Sequence, residues 1–282
     1  MARIDALNIL LDGGTKDKLA ESYGKVIENI EKSTISGLLK NKDLSGDPTT
    51  GTVEAKKFVN ATSKAYGTAR TAGKADAVEA LPVTIPIDTD KEIIEEVENK
   101  DLSLYGVDGL IARRTENHGR AMKRELERAF FTCAADVGTT VTTTTATTVQ
   151  GAFEEVIQSI ESTSNDYIDG VDRDLIHIVA NPHTYGLIRD YLDTLDNANV
   201  DSGAGEFGMF HGVMVHSSVY LPSTVDFIAM VEGSIAQPVL VDLYDPKPVE
   251  LSNAVAFGIF YSYGTKCVND ALVVPAKVGT GT

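Results

Sequence analysis

The stretch from 105 to 137 constrains the fold most. Val107, Ile111, Arg114, His118, Met122, Leu126, Phe130, Cys133 and Val137 recur at three- and four-residue intervals, which places them on one face of a helix of about nine turns. Such a helix is roughly 45–50 Å long, and in a chain of 282 residues it serves as a strut for other elements. Its other face, Arg113, Arg120, Lys123, Arg124, Glu127 and Arg128, is expected to meet solvent or a neighbour. His118 falls on the apolar side, where a hydrogen-bonded buried histidine is expected. Gly119 is a weak point near the middle of the strut.

Before the strut, residues 16–42 carry Leu19, Tyr23, Val26, Ile27, Ile30, Ile35, Leu38 and Leu39 at helical spacing, an arm with one sticky face. SGDPTTGT, 45–52, is turn chemistry. Residues 53–80 are rich in Ala, Lys, Thr and Gly and hold too few large apolar side chains for a core of their own. Val53, Phe58, Val59 and Tyr66 suggest two strands of a projecting hairpin. Lys56, Lys57, Lys64, Arg70 and Lys74 outnumber Glu54, Asp76 and Glu79 there, so the hairpin is basic and expected to seek a partner, the alternative being a mobile surface loop. Hairpin and arm are both expected to be ordered by neighbouring copies. From Leu81, the alternation of Val83, Ile85 and Ile87 predicts an edge strand, followed by a helical acidic segment.

After the strut, the Thr-rich run 138–148 is a connector, and Thr147 with Gln150 matches a capping box for the next helix. Leu175–Ala180 reads as a buried strand, Asn181-Pro182 as a turn, and the following residues as a short helix carrying Tyr185, Ile188, Tyr191, Leu192 and Leu195. Strands are expected at 213–216, 227–231, 238–244 and 254–261 and in the LVVPA segment near the C-terminus, giving an α+β chain with a strand-rich second half.

The net charge of −16 argues against tight nucleic-acid binding. It is unevenly spread: residues 1–139 hold 20 Lys/Arg and 23 Asp/Glu, a balance of −3, whereas 140–282 hold 5 and 18, a balance of −13. That asymmetry would let a mixed-charge segment of one subunit lie over an acidic surface of the next. No apolar run is long enough for a membrane span, and the first residues do not read as a secretory leader. Cys133 and Cys267 stand alone in sequence, so no disulfide framework or zinc site is expected and both read as small buried apolar residues.

Enzymatic motifs do not survive their context. Gly203, Gly205 and Gly208 have GxGxxG spacing, but a polar loop precedes them and a strand follows, so no dinucleotide site is expected. His211 and His216 would point to opposite faces of a strand, and His177 and His183 are separated by Pro182. Glu154 and Glu155 cannot face each other across a substrate from one helix. Asn60-Ala-Thr62 matches a glycosylation sequon by chance. No catalytic, cofactor-binding or metal-ligating residue is assigned.

The order of elements, together with IHIVANPHTYGLIRD, FHGVMVHSSVYLP and the closing AMVEGSIAQPVLVDLYDPKPVELSNAVAFGIFYSYGTKCVNDALVVPA, resembles the Hong Kong 97-type major capsid proteins of tailed phages across nearly the whole chain. The resemblance implies an N-terminal arm, 1–47; an extended loop, 48–82; a peripheral domain, 83–137 with 251–282, containing the spine helix 105–137; and an axial domain, 138–250. It also implies a non-enzymatic subunit that assembles into hexamers and pentamers of an icosahedral shell enclosing double-stranded DNA. Scaffolding, portal and decoration proteins are its implied partners, the host bacterial cytoplasm its place of assembly, and the virion its location. Lys56, Lys57, Lys64, Arg70 and Lys74 would be inter-subunit contacts in the extended loop. An encapsulin-like nanocompartment shell is the alternative within the fold, and an acidic soluble enzyme with an unrecognised site the alternative outside it. Neither a protease-removed scaffolding region nor a crosslinking residue is identified.

Overall fold

The computed structural model describes residues 13–61, 63–67, 78–98, 106–137, 141–194, 200–201, 206–207, 209–250, 252 and 254–279. The arm folds as α1 (Gly13–Ser33) and α2 (Ile35–Leu39), divided at Thr34, whose extended backbone and Oγ1, accepting from Gly37 N at 2.9 Å, cap the second helix. Next come β1 (Thr52–Phe58) and β2 (Ala80–Pro86), an antiparallel pair in register from Thr52↔Pro86 to Phe58↔Ala80. The second hairpin strand is therefore the segment expected to stand as a separate edge strand. β3 (Thr89–Glu98) corrects the helical reading of the acidic segment. Its inward positions, Ile93, Glu95 and Val97, alternate with exposed ones, the period of a strand.

The strut, α3 (Val107–Ala135), spans 29 residues, roughly 43 Å at 1.5 Å per residue. Arg113, Arg120, Arg124 and Arg128 are exposed, as their spacing predicts. Glu127 is not: it is buried and accepts both Ser36 N and Ser36 Oγ at 2.9 Å, joining the strut to α2. Lys123 is half-buried and donates to Ser33 O at 3.1 Å.

Beyond the strut lie β4 (Thr142–Thr143) and α4 (Val149–Glu161). The helix cap is Thr148, not the expected Thr147, and its side chain makes no capping bond. Glu155 instead folds back to accept Thr145 N at 2.9 Å and Ala146 N at 3.1 Å, tying the connector to the helix. Then follow β5 (Ser164–Asn165), β6 (Ile168–Asp169) and β7 (Ile176–Ala180). Asn181 Oδ1 accepts Thr184 N at 2.8 Å and Pro182 occupies the first turn, so the Asn-Pro pair starts α5 (Pro182–Asp193). The remaining strands are β8 (Val200–Asp201), β9 (Glu206–Phe207), β10 (Met209–Phe210), β11 (Val213–Ser217), β12 (Phe227–Val231), β13 (Ile235–Ala236), β14 (Val239–Pro248), β15 (Ala254–Tyr263), β16 (Lys266–Cys267) and β17 (Val273–Lys277).

Two sheets organise these elements. An antiparallel sheet of order β14-β15-β3 takes the strut and arm on one face: Tyr23 and Ile30 of α1 and Ile111, Met122 and Leu126 of α3 pack on Val97, Val255, Phe257, Ile259 and Tyr261. The arm thus finds its hydrophobic partner in its own chain, contrary to the expectation that a neighbour orders it. A built Cβ on Gly119 would stand 2.1 Å from Val26 Cγ1, so the missing side chain lets α1 cross the strut closely.

The second sheet is mixed, of order β10-β11-β7-β12-β17-β4. On one side, Ile176, Ile178 and Ala180 of β7 join Phe153, Ile157 and Ile188 from the helices; on the other, Val179 meets the end of the strut at Phe130 and Phe131. Covered on both faces, β7 is buried along its whole length, which explains a sequence that is apolar apart from His177. Two strands differ from the expected grouping: β14 lies in the sheet that packs on the strut, and β17 lies between β12 and β4 in the second sheet. Among the described residues no helix is long and apolar enough to cross a membrane.

Candidate functional site

The candidate site is the hairpin of β1 and β2. Its root is fixed by the turn preceding it: Asp47 Oδ1 accepts Thr49 N at 3.0 Å, Gly51 adopts φ 82°, and Ile87 N reaches Gly51 O at 2.8 Å. One face, Val53, Ala55 and Ile85, is buried with Ala236 and Val268. Lys266 Nζ donates to Thr84 O at 2.8 Å, fastening β2 to β16. Alternation puts Lys57 on the same face one step further out, where its ammonium lies 5.9 Å from the centre of the Tyr167 ring. Asn60 N donates to Asp166 O at 3.1 Å, so the β5–β6 turn supports the hairpin where it leaves the body.

Around and beyond that support several apolar side chains are exposed. Phe58 is 55% exposed, Tyr66 91% and Val78 89%, and Leu81 is also exposed. Of the five basic residues singled out in the sequence, Lys56 and Lys64 are exposed and Lys57 is half-buried on Tyr167. Arg70 and Lys74 lie outside the described residues. The structure therefore adds an element that charge counting missed: the projecting hairpin carries aromatic and aliphatic side chains as well as cations. Phe58 and Tyr66 were visible in the sequence, but only the fold shows that both side chains are exposed.

Elsewhere, polar clusters bind elements together. Beside α4, Arg173 donates to Glu161 Oε1 from Nε at 2.7 Å and to Glu154 Oε1 from Nη2 at 2.8 Å, while His211 Nδ1 lies 3.1 Å from Glu154 Oε2. The Arg173 contact holds the Glu154 carboxyl down at about 2. His211 belongs to the turn between β10 and β11, at φ 48° beside Gly212 at φ 90°, and not to the strand on which it was expected. Glu154 and Glu155 diverge toward different partners. His216 meets His177, ring against ring with Nδ1 and Nε2 3.3 Å apart, because β7 and β11 are parallel neighbours. Burial lowers the pKa of both. Gly203, Gly205 and Gly208 lie outside the described residues, and β11 follows them as expected. Among the described residues no three His, Cys, Asp or Glu side chains gather as metal ligands would.

Comparison with known proteins gives one family. A family model described as phage capsid protein matches residues 89–271. A solved structure from Mycobacterium phage Che8 is 22% identical, with 79% of this chain and 83% of that chain covered and a TM-score of 0.57. The capsid of cyanophage P-SCSP1u is 13% identical over 88% and 89%, with a TM-score of 0.59. A virus-like particle from Pyrococcus furiosus is 12% identical over 93% and 98%, with a TM-score of 0.55. These likenesses carry the Hong Kong 97-type fold expected from the sequence. No curated protein sequence matches the chain.

Proposed function

We propose, given that this chain belongs to the phage capsid protein family, that its copies close into an icosahedral shell of hexamers and pentamers around double-stranded DNA. The chain is a structural major capsid protein and not an enzyme, and it resides in the virion. Assembly in the cytoplasm of a host bacterium, with scaffolding, portal and decoration proteins as partners, is the finer reading. In it, 1–47 form the arm, 48–82 the extended loop, 83–137 and 251–282 the peripheral domain, and 138–250 the axial domain, and the strand pairing supports exchanging β14 and β17 between the last two.

One observation carries the reading: the hairpin is anchored at its root by Val53, Ala55 and Ile85 yet exposes Phe58, Tyr66 and Val78 further along. A neighbouring copy is the natural cover for such a surface, with Lys56, Lys57, Lys64, Arg70 and Lys74 meeting an acidic part of it. Contacts from one patch to a different patch propagate around a ring and can close it. An encapsulin-like shell holding protein cargo shares the geometry. Sedimentation velocity of the purified chain, read at 260 and 280 nm after nuclease treatment, tests both points. Fast-sedimenting shells are expected, with protected nucleic acid in those recovered from infected cells. A monomer at every concentration would overturn the shell, and protected protein cargo without nucleic acid would overturn the genome reading.

A further inference from the structure

The chain has two cysteines, 134 positions apart (267 − 133), and folding brings them together. Cys133 sits on the last turns of α3 and Cys267 ends β16. Both pack against the cluster containing Phe130, Phe131 and Ile235, and both line one open groove of about 680 Å³ with Thr132, Asp136 and Asp270. The Cys267 backbone N–H is close enough to the Cys133 sulfur to favour its thiolate, while the Cys267 thiol makes a long contact of 3.5 Å with Ser234 O. Disulfides join residues whose Cα atoms stand about 4.4–6.8 Å apart, and the end of the strut packed with β16 on one cluster and in one groove is the arrangement that allows such an approach. The Ser234 contact is a weak one to give up.

We propose that Cys133 and Cys267 form a latent cross-link within one subunit, reduced during assembly and oxidised to a disulfide once the shell meets an oxidising medium. The proposal rests on the shell reading for its timing, since phage assembly takes place in a reducing cytoplasm and release does not. With a low-molecular-weight disulfide such as glutathione disulfide, one cysteine loses its proton and attacks a glutathione sulfur, expelling a glutathione thiolate. The second cysteine, also deprotonated, then attacks the protein sulfur of that mixed disulfide and expels the second glutathione. One S–S bond forms in the protein, the S–S bond of glutathione disulfide breaks, and the two cysteine protons pass through water to the two glutathione thiolates. The groove gives the small oxidant access, and the bond would fix the end of the strut to β16. Burial holds both thiols up, Cys267 to about 12, so the reaction is slow at neutral pH and accelerates up to tenfold per pH unit. That leaves time for assembly with free thiols.

The test incubates assembled shells with glutathione disulfide at pH 7 and pH 9, blocks remaining thiols by alkylation, and reads thiol content and peptides by mass spectrometry. Free thiols should fall from two per subunit to none, faster at pH 9. The Cys133 and Cys267 peptides should be joined, with no dimer on a non-reducing gel. The melting temperature should rise by about 10 °C and return on reduction, and C133S shells should show no such rise. Two alkylatable thiols persisting at pH 9, glutathione adducts alone, or dimers between subunits would overturn the proposal. If no shells form, the same assay on the soluble subunit still decides the cysteine pair, so its failure is separable from that of the shell reading.

Discussion

The hydroxyl of Tyr23 on the arm helix lies 2.6 Å from Nδ1 of His118, in the middle of the strut. His118 is buried, with Phe257 stacked on one side and Nε2 3.0 Å from Glu95 Oε2. Arg114 makes a bidentate pair with the same carboxylate, donating from Nε to Oε2 at 2.5 Å. Burial pushes the Glu95 carboxyl up, but Arg114 and His118 outweigh it and hold its pKa below the usual range. Arm, strut and β3 thus meet at one polar cluster inside an apolar layer.

Tyr23→Phe should cost about 1–3 kcal/mol, because it leaves a buried histidine nitrogen without its partner while keeping the ring. Urea unfolding of the subunit, with a lower midpoint and an unchanged slope, checks this.

Gly119→Ala should destabilise docking of the arm by about 1–3 kcal/mol, since the new methyl falls on Val26. Val26→Ala in the same chain should recover part of the loss. A double-mutant cycle with no coupling would contradict the proposed crossing.

Acid should weaken the fold in two windows. Burial lowers the pKa of His118, His177 and His216, so their stabilisation is complete above their unfolded value near 6.5 and declines as pH falls below it. Glu154, held at about 2 by Arg173, adds stability that is present above the ordinary carboxylate value of 4.5 and lost as pH falls toward 2. Melting temperatures from pH 8 to 2 should show both declines, and Arg173→Met should flatten the lower one.

Phe58→Ser with Tyr66→Ser should leave subunit stability within about 0.5 kcal/mol, since both side chains are exposed in the isolated chain. Assembly should fall sharply, seen as loss of the fast-sedimenting species at concentrations where the unaltered chain forms shells.

The elements easiest to read in the sequence were those in which pattern and packing agree. The strut spacing places Ile111, Met122, Leu126 and Phe130 inward, Asn181 caps its helix, and the β7 run is apolar apart from His177 because both its faces are covered. The acidic segment 89–98 misled because Glu favours helices, while ten paired positions on β15, from Thr89↔Tyr263 to Glu98↔Ala254, override that preference. Glu127 was placed outward by periodicity, yet α2 covers it, and one helix's spacing does not show what lies on it. The hairpin cations were legible, whereas the exposure of Phe58 and Tyr66 and the meeting of Cys133 with Cys267 depend on contacts across the chain.

Cryo-electron microscopy of assembled particles tests the central claim most directly. A shell of Hong Kong 97-type subunits is predicted, with Phe58 and Tyr66 buried on an adjacent copy. Particles in which those side chains stay in solvent, or a preparation holding only monomers, would contradict it.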